Sequence, residues 1–139
     1  MSLCCGLPEV GPLARDELVA QVLLLEWAMF QSVPNVGGGR SACQEKRADF
    51  EIHRGGQFLS WSDAALRSYL SDLEEAQRAG ENLLTLKYAR MMETTSPEEY
   101  AKIAHRLPPL SPEAAKWIEE IVEISLAWEE DLVRRYPHV

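Results

Sequence analysis

A strongly apolar helix that is broken at a proline, led through three glycines and restarted within ten residues leaves a chain few ways to fold. That sequence of events occupies Val22 to Gln44, read VLLLEWAMFQSVPNVGGGRSACQ, and it carries one carboxylate, Glu26, inside its apolar part. The apolar positions Leu18, Val22, Leu25, Met29 and Val33 recur at steps of three and four residues, which predicts a helix from Arg15 to about Val33. Asp16 and Glu17 suit its start, where acidic groups meet the positive end of the helix dipole. Glu26 lies one turn from Val22, Leu23, Met29 and Phe30, so its carboxylate shares a face with apolar side chains. Two roles are open to it: a structural charge paired across the core, or an acid/base group whose pKa an apolar setting raises.

Pro34 ends that helix, and Asn35 to Gly39 form the connection. Ser41 with Gln44 three residues on is a capping-box pattern, predicting a second helix from Ser41 to about Ser60. Glycines opening into a helix amino terminus present free backbone N–H groups. Asn35, Gly38, Gly39 and Arg40 are therefore candidate holders of a substrate carboxylate, with a flexible connector as the other reading. The GK[ST] ending of a phosphate-binding loop is missing. On the second helix Cys43, Phe50, Arg54, Gln57 and Trp61 fall on one stripe, and Arg54, Gln57 and Trp61 join the substrate-binding candidates. Gly55-Gly56 weakens this helix and predicts a bend or a close backbone approach. His53 lies beside the stripe.

Further on, Ser62 caps a helix over Asp63 to Ala79 whose Leu66, Tyr69, Leu70, Leu73 and Ala76 form a core stripe, and Gly80 stops it. A fourth helix from about Glu81 to Thr94 places Lys87 among Leu83, Leu84 and Met91, with Tyr88 beside Met92. Ser96-Pro97-Glu98-Glu99 opens a short helix reaching Arg106, and Leu107-Pro108-Pro109-Leu110 is a rigid linker. The last helix runs from Ser111-Pro112 to about Arg135 and is expected to carry Trp117, Ile121, Ile124, Trp128 and Leu132 inward. No strand alternation or internal repeat appears. The expected architecture is all-α: residues 1–14 as a mobile tail, and residues 15–139 as a single compact domain of about six helices around a central, buried first helix.

Composition narrows the functional classes. The 139 residues are 46% hydrophobic and 26% charged, ordinary for a folded domain. A net charge of -8 disfavours nucleic acid, whose binding needs clustered cations. The longest apolar stretch, Leu18 to Phe30, is interrupted by Gln21 and Glu26 and falls short of the roughly 20 residues of a membrane span, so no membrane partner is expected. The amino terminus lacks a basic segment followed by an apolar one, and three cysteines with Cys4 and Cys5 adjacent fit a reducing compartment, so a cytoplasmic location is expected. With three histidines and no HExxH pattern, no metal is expected, and no cofactor either.

The ordered residues Glu26-Trp27, Phe30-Gln31, Asn35, Gly38-Gly39-Arg40, Cys43-Gln44, Phe50, Arg54, Gln57-Phe58, Trp61, Lys87 to Met92 and Pro97 to Tyr100 resemble a bacterial family catalogued as domain of unknown function 4125. The resemblance covers about Leu18 to Pro109 and implies a bacterial cytoplasmic domain. It carries no assigned reaction, cofactor or catalytic residue.

The residues themselves suggest more. Glu26, Cys43, Arg54, Gln57, Lys87 and Tyr88 are all polar where the helical period expects burial. The catalytic candidates are Glu26, Lys87 and Tyr88 for proton transfer, with Cys43 as a covalent variant activated by Arg40 and a helix amino terminus. The expected activity is metal-independent lyase, isomerase or cyclase chemistry on a small carboxylate or amino-acid-like substrate, of the kind found in bacterial specialised metabolism. The other class is a non-catalytic ligand-binding or protein-interaction module, consistent with four tryptophans and with a homodimer or protein partner.

Overall fold

The computed structural model describes residues 13–138. Among them are six α-helices, two short 3-10 turns and no strand, so the fold is all-α. The helices are α1 (Arg15–Gln31), α2 (Arg47–Phe58), α3 (Asp63–Ala79), α4 (Leu83–Thr95), α5 (Pro97–Ile103) and α6 (Pro112–Arg135), with 3-10 turns at Ala42–Glu45 and Ala104–Arg106. The chain divides into two compact units, Met1–Lys102 and Ile103–Val139. Cys4, Cys5 and most of the expected tail lie outside the described residues. Leu13 and Ala14, also assigned to that tail, behave differently: Leu13 packs on the core, and the Ala14 N–H donates to the Glu17 carboxylate at 2.9 Å.

The first unit is organised around α1, which packs against α2, α3 and α4. Its Leu18, Val22, Met29 and Phe30 meet Leu66, Leu70, Leu73 and Ala76 of α3, with Phe58 and Leu84 completing the core. The expected period of α1 and α3 is thus the one that is buried. The α3 boundaries are those the caps dictate: Ser62 Oγ accepts from the Ala65 N–H at 3.2 Å, and Gly80 stops the helix in the left-handed region. Asn82 caps α4 by accepting from the Thr85 N–H at 2.9 Å, and its Nδ2 donates to the Met29 carbonyl at 2.7 Å, tying α4 to α1.

Two expectations about the second helix fail. The chain does not run as one helix from Ser41. It makes a 3-10 turn and breaks at Lys46 (φ -108°, ψ 72°) before α2 starts. The break follows from Gln44, whose buried side chain turns back toward α1 rather than lying along a helix surface. Nor does Gly55-Gly56 admit another backbone: α2 is continuous through both, and the nearest atom to a Cβ added at Gly55 is Leu23 Cδ1 at 3.7 Å.

In the second unit Ser111 Oγ accepts from the Ala114 N–H at 3.0 Å and Pro112 opens α6. The inward placement of Trp117, Ile121, Ile124, Trp128 and Leu132 is not observed. No residue of α6 is buried, and Trp128 is 70% exposed. A short helical turn and one long helix supply no second layer within that unit to cover an apolar stripe.

Two glycine substitutions should move stability in opposite directions. At Gly80 (φ +72°) an alanine meets no neighbour but must adopt the left-handed region, so Gly80→Ala is expected to cost about 1–2 kcal/mol. Gly56, helical with open space around it, should gain about 0.5–1 kcal/mol as Ala. Urea denaturation of both variants beside the parent protein checks the signs.

Candidate functional site

Glu26 is fully buried on the face of α1 that meets α2 and α3. Its two oxygens are held from both neighbours: Arg54 Nε donates to one at 2.8 Å, Arg54 Nη2 to the other at 2.6 Å, and the Tyr69 hydroxyl to that second oxygen at 2.5 Å. The Arg54 contact is bidentate, the strongest geometry for a carboxylate. Arg54 in turn donates from Nη1 to Gln57 and lies 4.8 Å above the Phe58 ring. The hydrogen bond to Glu26 holds the Arg54 pKa above its usual value against the opposing effect of burial. Burial, followed by the hydrogen bond to Glu26, pushes the Tyr69 hydroxyl well above the usual phenol range. Tyr69 was read from the sequence as plain core. Its position on the α3 stripe facing α1 was legible there, but its partner was not.

A second polar cluster closes the glycine loop. Gln44 Nε2 donates to the carbonyls of Phe30 and Val33 at 2.8 and 3.0 Å, adding to the Val33 N–H bond that the Phe30 carbonyl already accepts and tying the loop to the end of α1. Its Oε1 accepts from Asn35 Nδ2 at 2.8 Å and from the Ser41 N–H at 3.0 Å. Arg40 donates to Gln31 and to the Gln44 carbonyl, and Asn35 donates to the Gly39 carbonyl. Asn35 and Arg40 are therefore used in building the loop. Gly37, Gly38 and Gly39 each have positive φ, near +80°, which is what the turn requires of them. The 3-10 turn that follows is four residues long, too short to supply the helix dipole on which the expected anion cradle at Gly38, Gly39 and Arg40 depends.

Beside these clusters lies an open cleft of about 520 Å³ between α1, α2, α4 and the 3-10 turn, lined in part by Phe30, Phe50 and Tyr88. The Phe30 and Phe50 rings stack at 5.3 Å, and Tyr88 lies 6.0 Å from Phe30, making an aromatic floor. Lys46, Asp49 and His53 also line the cleft, one polar face at steps of three and four residues, with Arg54 next to His53. This face is rotated from the stripe expected from the sequence, and so Lys46, Asp49 and His53 went unselected. Cys43 is exposed at the cleft edge with Sγ 2.9 Å from Ser41 Oγ.

Of the six polar residues expected at buried positions, Glu26 is buried and Arg54 partly so, whereas Cys43, Gln57, Lys87 and Tyr88 are exposed. Gln57 and Trp61 do not line the cleft; the Trp61 ring packs on Phe58 at 5.2 Å and Tyr69 at 5.6 Å. Lys87 Nζ stands 5.8 Å from the Tyr88 ring, and partial burial, aided by the charge of Arg54, lowers its pKa. Burial raises the pKa of the Tyr88 hydroxyl above the usual phenol value, which keeps it a donor. No cluster of three or more His, Cys, Asp or Glu side chains among the described residues is arranged to hold a metal ion, and no helix among them is long and apolar enough to cross a membrane.

The fold and this site define an all-α protein with an internally neutralised carboxylate beneath an open, aromatic-floored cleft. The chain belongs to the family described as "Protein of unknown function (DUF4125)", whose model matches residues 16–139. That match extends through α6, further than the motifs from Leu18 to Pro109 on which the resemblance rested. No curated protein and no solved structure matches the chain.

The Glu26–Arg54 pair should behave as one unit. Glu26→Gln or Arg54→Met alone is expected to destabilise by about 3–5 kcal/mol, because each strands a charge in the core. The double variant Glu26→Gln/Arg54→Met should lose less than the sum of the two, and Tyr69→Phe about 1–2 kcal/mol. Chemical denaturation of the four variants measures the coupling.

Proposed function

We propose that the chain binds a small carboxylate or amino-acid-like anion in the cleft between α1, α2 and α4. The observation that carries this reading is the pairing of an aromatic floor with Lys46, His53 and Arg54 on one wall, in a chain whose net charge is -8. The Lys46 ammonium, which has no partner among the described residues, attracts anions in an otherwise acidic protein, and the aromatic rings suit a flat or apolar body. Asp49 on the same wall suits the ammonium group of an amino acid. The cysteine content supports a reducing, cytoplasmic setting for this binding.

Calorimetric titration with a panel of aliphatic and aromatic carboxylates and amino acids tests the reading. Lys46→Ala should weaken the best binder about tenfold, the loss typical of one hydrogen bond to a charged group, and Lys116→Ala on α6 should leave it unchanged. Iodoacetamide labelling of the Cys43 peptide, followed by mass spectrometry, should slow when that ligand is present. Equal affinity in the parent and Lys46→Ala proteins, with Cys43 labelled at the same rate, would remove the site.

A second reading, metal- and cofactor-independent proton transfer on the bound anion as in a lyase, isomerase or cyclase, draws support from Lys87 and Tyr88. Of the two, Tyr88 lines the cleft, and Lys87, an amine of lowered pKa, stands 5.8 Å from the Tyr88 ring outside that lining, so the phenol is the group in reach of the ligand and Lys87 the base behind it. Any such turnover should climb as pH rises and Lys87 loses its proton. That limb should vanish in Lys87→Met, as read by proton exchange of the bound ligand in deuterated buffer.

A further inference from the structure

The cleft is not alone. A second one of about 340 Å³ adjoins it, and Phe30, Cys43 and Tyr88 line both, so these three residues stand at the boundary between the two. The two sides of that boundary differ in chemistry. On the first side the side chains of Lys46, Asp49 and His53 make no hydrogen bond or ion pair among the described residues, and they remain available to a ligand. The second side holds Val33, Pro34, Val36, Met91 and Met92.

Apart from the Tyr88 hydroxyl at the boundary, the polar side chains of the second cleft are already engaged. Gln44 is held by Phe30, Val33, Asn35 and Ser41, and Asn35 also donates to Gly39. Thr95 Oγ1 donates to the Met91 carbonyl at 3.0 Å, and Ser41 Oγ contacts Cys43 Sγ. What the second cleft offers a ligand is therefore apolar surface, and two methionines give it the adaptability to accept a flexible chain.

We infer that the two clefts together take an amphipathic carboxylate, with its acidic head against Lys46 and its alkyl or aryl-alkyl chain crossing the Phe30–Cys43–Tyr88 boundary into the pocket bounded by Val36 and Met91. This rests on the anion reading of the first cleft and specifies the ligand class of that site. Charge complementarity fixes the polarity: the unpartnered Lys46 ammonium lines the first cleft and no Lys or Arg among the described residues lines the second, so the chain runs away from α2 toward the glycine loop and α4. A short acid fills the first cleft alone. A longer one gains the burial of each further methylene.

Titration of the full chain with the straight-chain series butanoate, hexanoate and octanoate, with octylammonium as a charge control, separates the outcomes. Affinity is expected to rise about fourfold per added methylene, the gain that burying one such group gives, while octylammonium binds much more weakly than octanoate. Val36→Gln, at an exposed loop position, should flatten this rise and leave butanoate affinity unchanged; Met91→Gln on α4 should reduce it in the same direction. Equal affinity for butanoate and octanoate would overturn the two-cleft ligand while leaving small-anion binding intact. Octylammonium binding as tightly as octanoate would overturn the assigned polarity. No binding by any carboxylate, short or long, would overturn the anion reading and this inference with it.

Discussion

The first unit depends on a charge taken out of water. Burying Glu26 among Val22, Met29 and Phe30 would cost several kcal/mol if it stood alone, and the fold meets that cost with two N–H groups of Arg54 and the hydroxyl of Tyr69. One residue on α1 thereby fixes a position on α2 and another on α3. Apolar packing is tolerant of rotation about a helix axis, whereas a bidentate guanidinium–carboxylate contact is not. The ion pair sets the rotation of α2. That rotation in turn presents Lys46, Asp49 and His53 to the cleft instead of burying them or turning them to the opposite face.

Gln44 plays the corresponding part at the end of α1. This one side chain from beyond the loop reaches the Phe30 and Val33 carbonyls while its own oxygen gathers Asn35 and Ser41. The three glycines with positive φ let the chain return within reach of α1. The loop is consequently a tied structure whose polar groups are used in its closure. Its outer surface, with Val36 exposed, borders the apolar cleft.

Much of the helical layout could be read from the sequence, because it rests on local chemistry. Ser62 and Gly80 bound α3 at the residues their capping preferences indicate, and the three-and-four spacing of α1 is the buried face. The Ser41–Gln44 capping box forms as its local pattern indicates, but reading α2 as one helix from Ser41 failed because Gln44 also reaches back to the Phe30 and Val33 carbonyls and only a 3-10 turn follows the cap. The inward stripe assigned to α6 failed for a related reason: amphipathic spacing states that a face is apolar, not that a second layer is there to bury it. Site residues divide along the same line. Glu26 stood out by being charged within an apolar run, and Arg54 by interrupting a stripe. Nothing local marks Tyr69 as their third partner or sets the rotation that selects Lys46 over Gln57.

That division bears on which residues can do chemistry. Acid/base work needs a group that reaches the ligand and exchanges protons with it in the bound state. Glu26 is fully enclosed, receives three hydrogen bonds and is not among the residues that line the cleft, so its geometry is that of a strut. The groups at the cleft have the opposite character. Lys46, Asp49 and His53 reach it without internal partners, and Tyr88 borders both clefts as a neutral phenol. The carboxylate that dominates the sequence thus acts on the candidate site at one remove, by holding Arg54 and through it the face of α2, while the unpartnered polar groups of the cleft wall, Lys46, Asp49 and His53, are ones that no local pattern singles out.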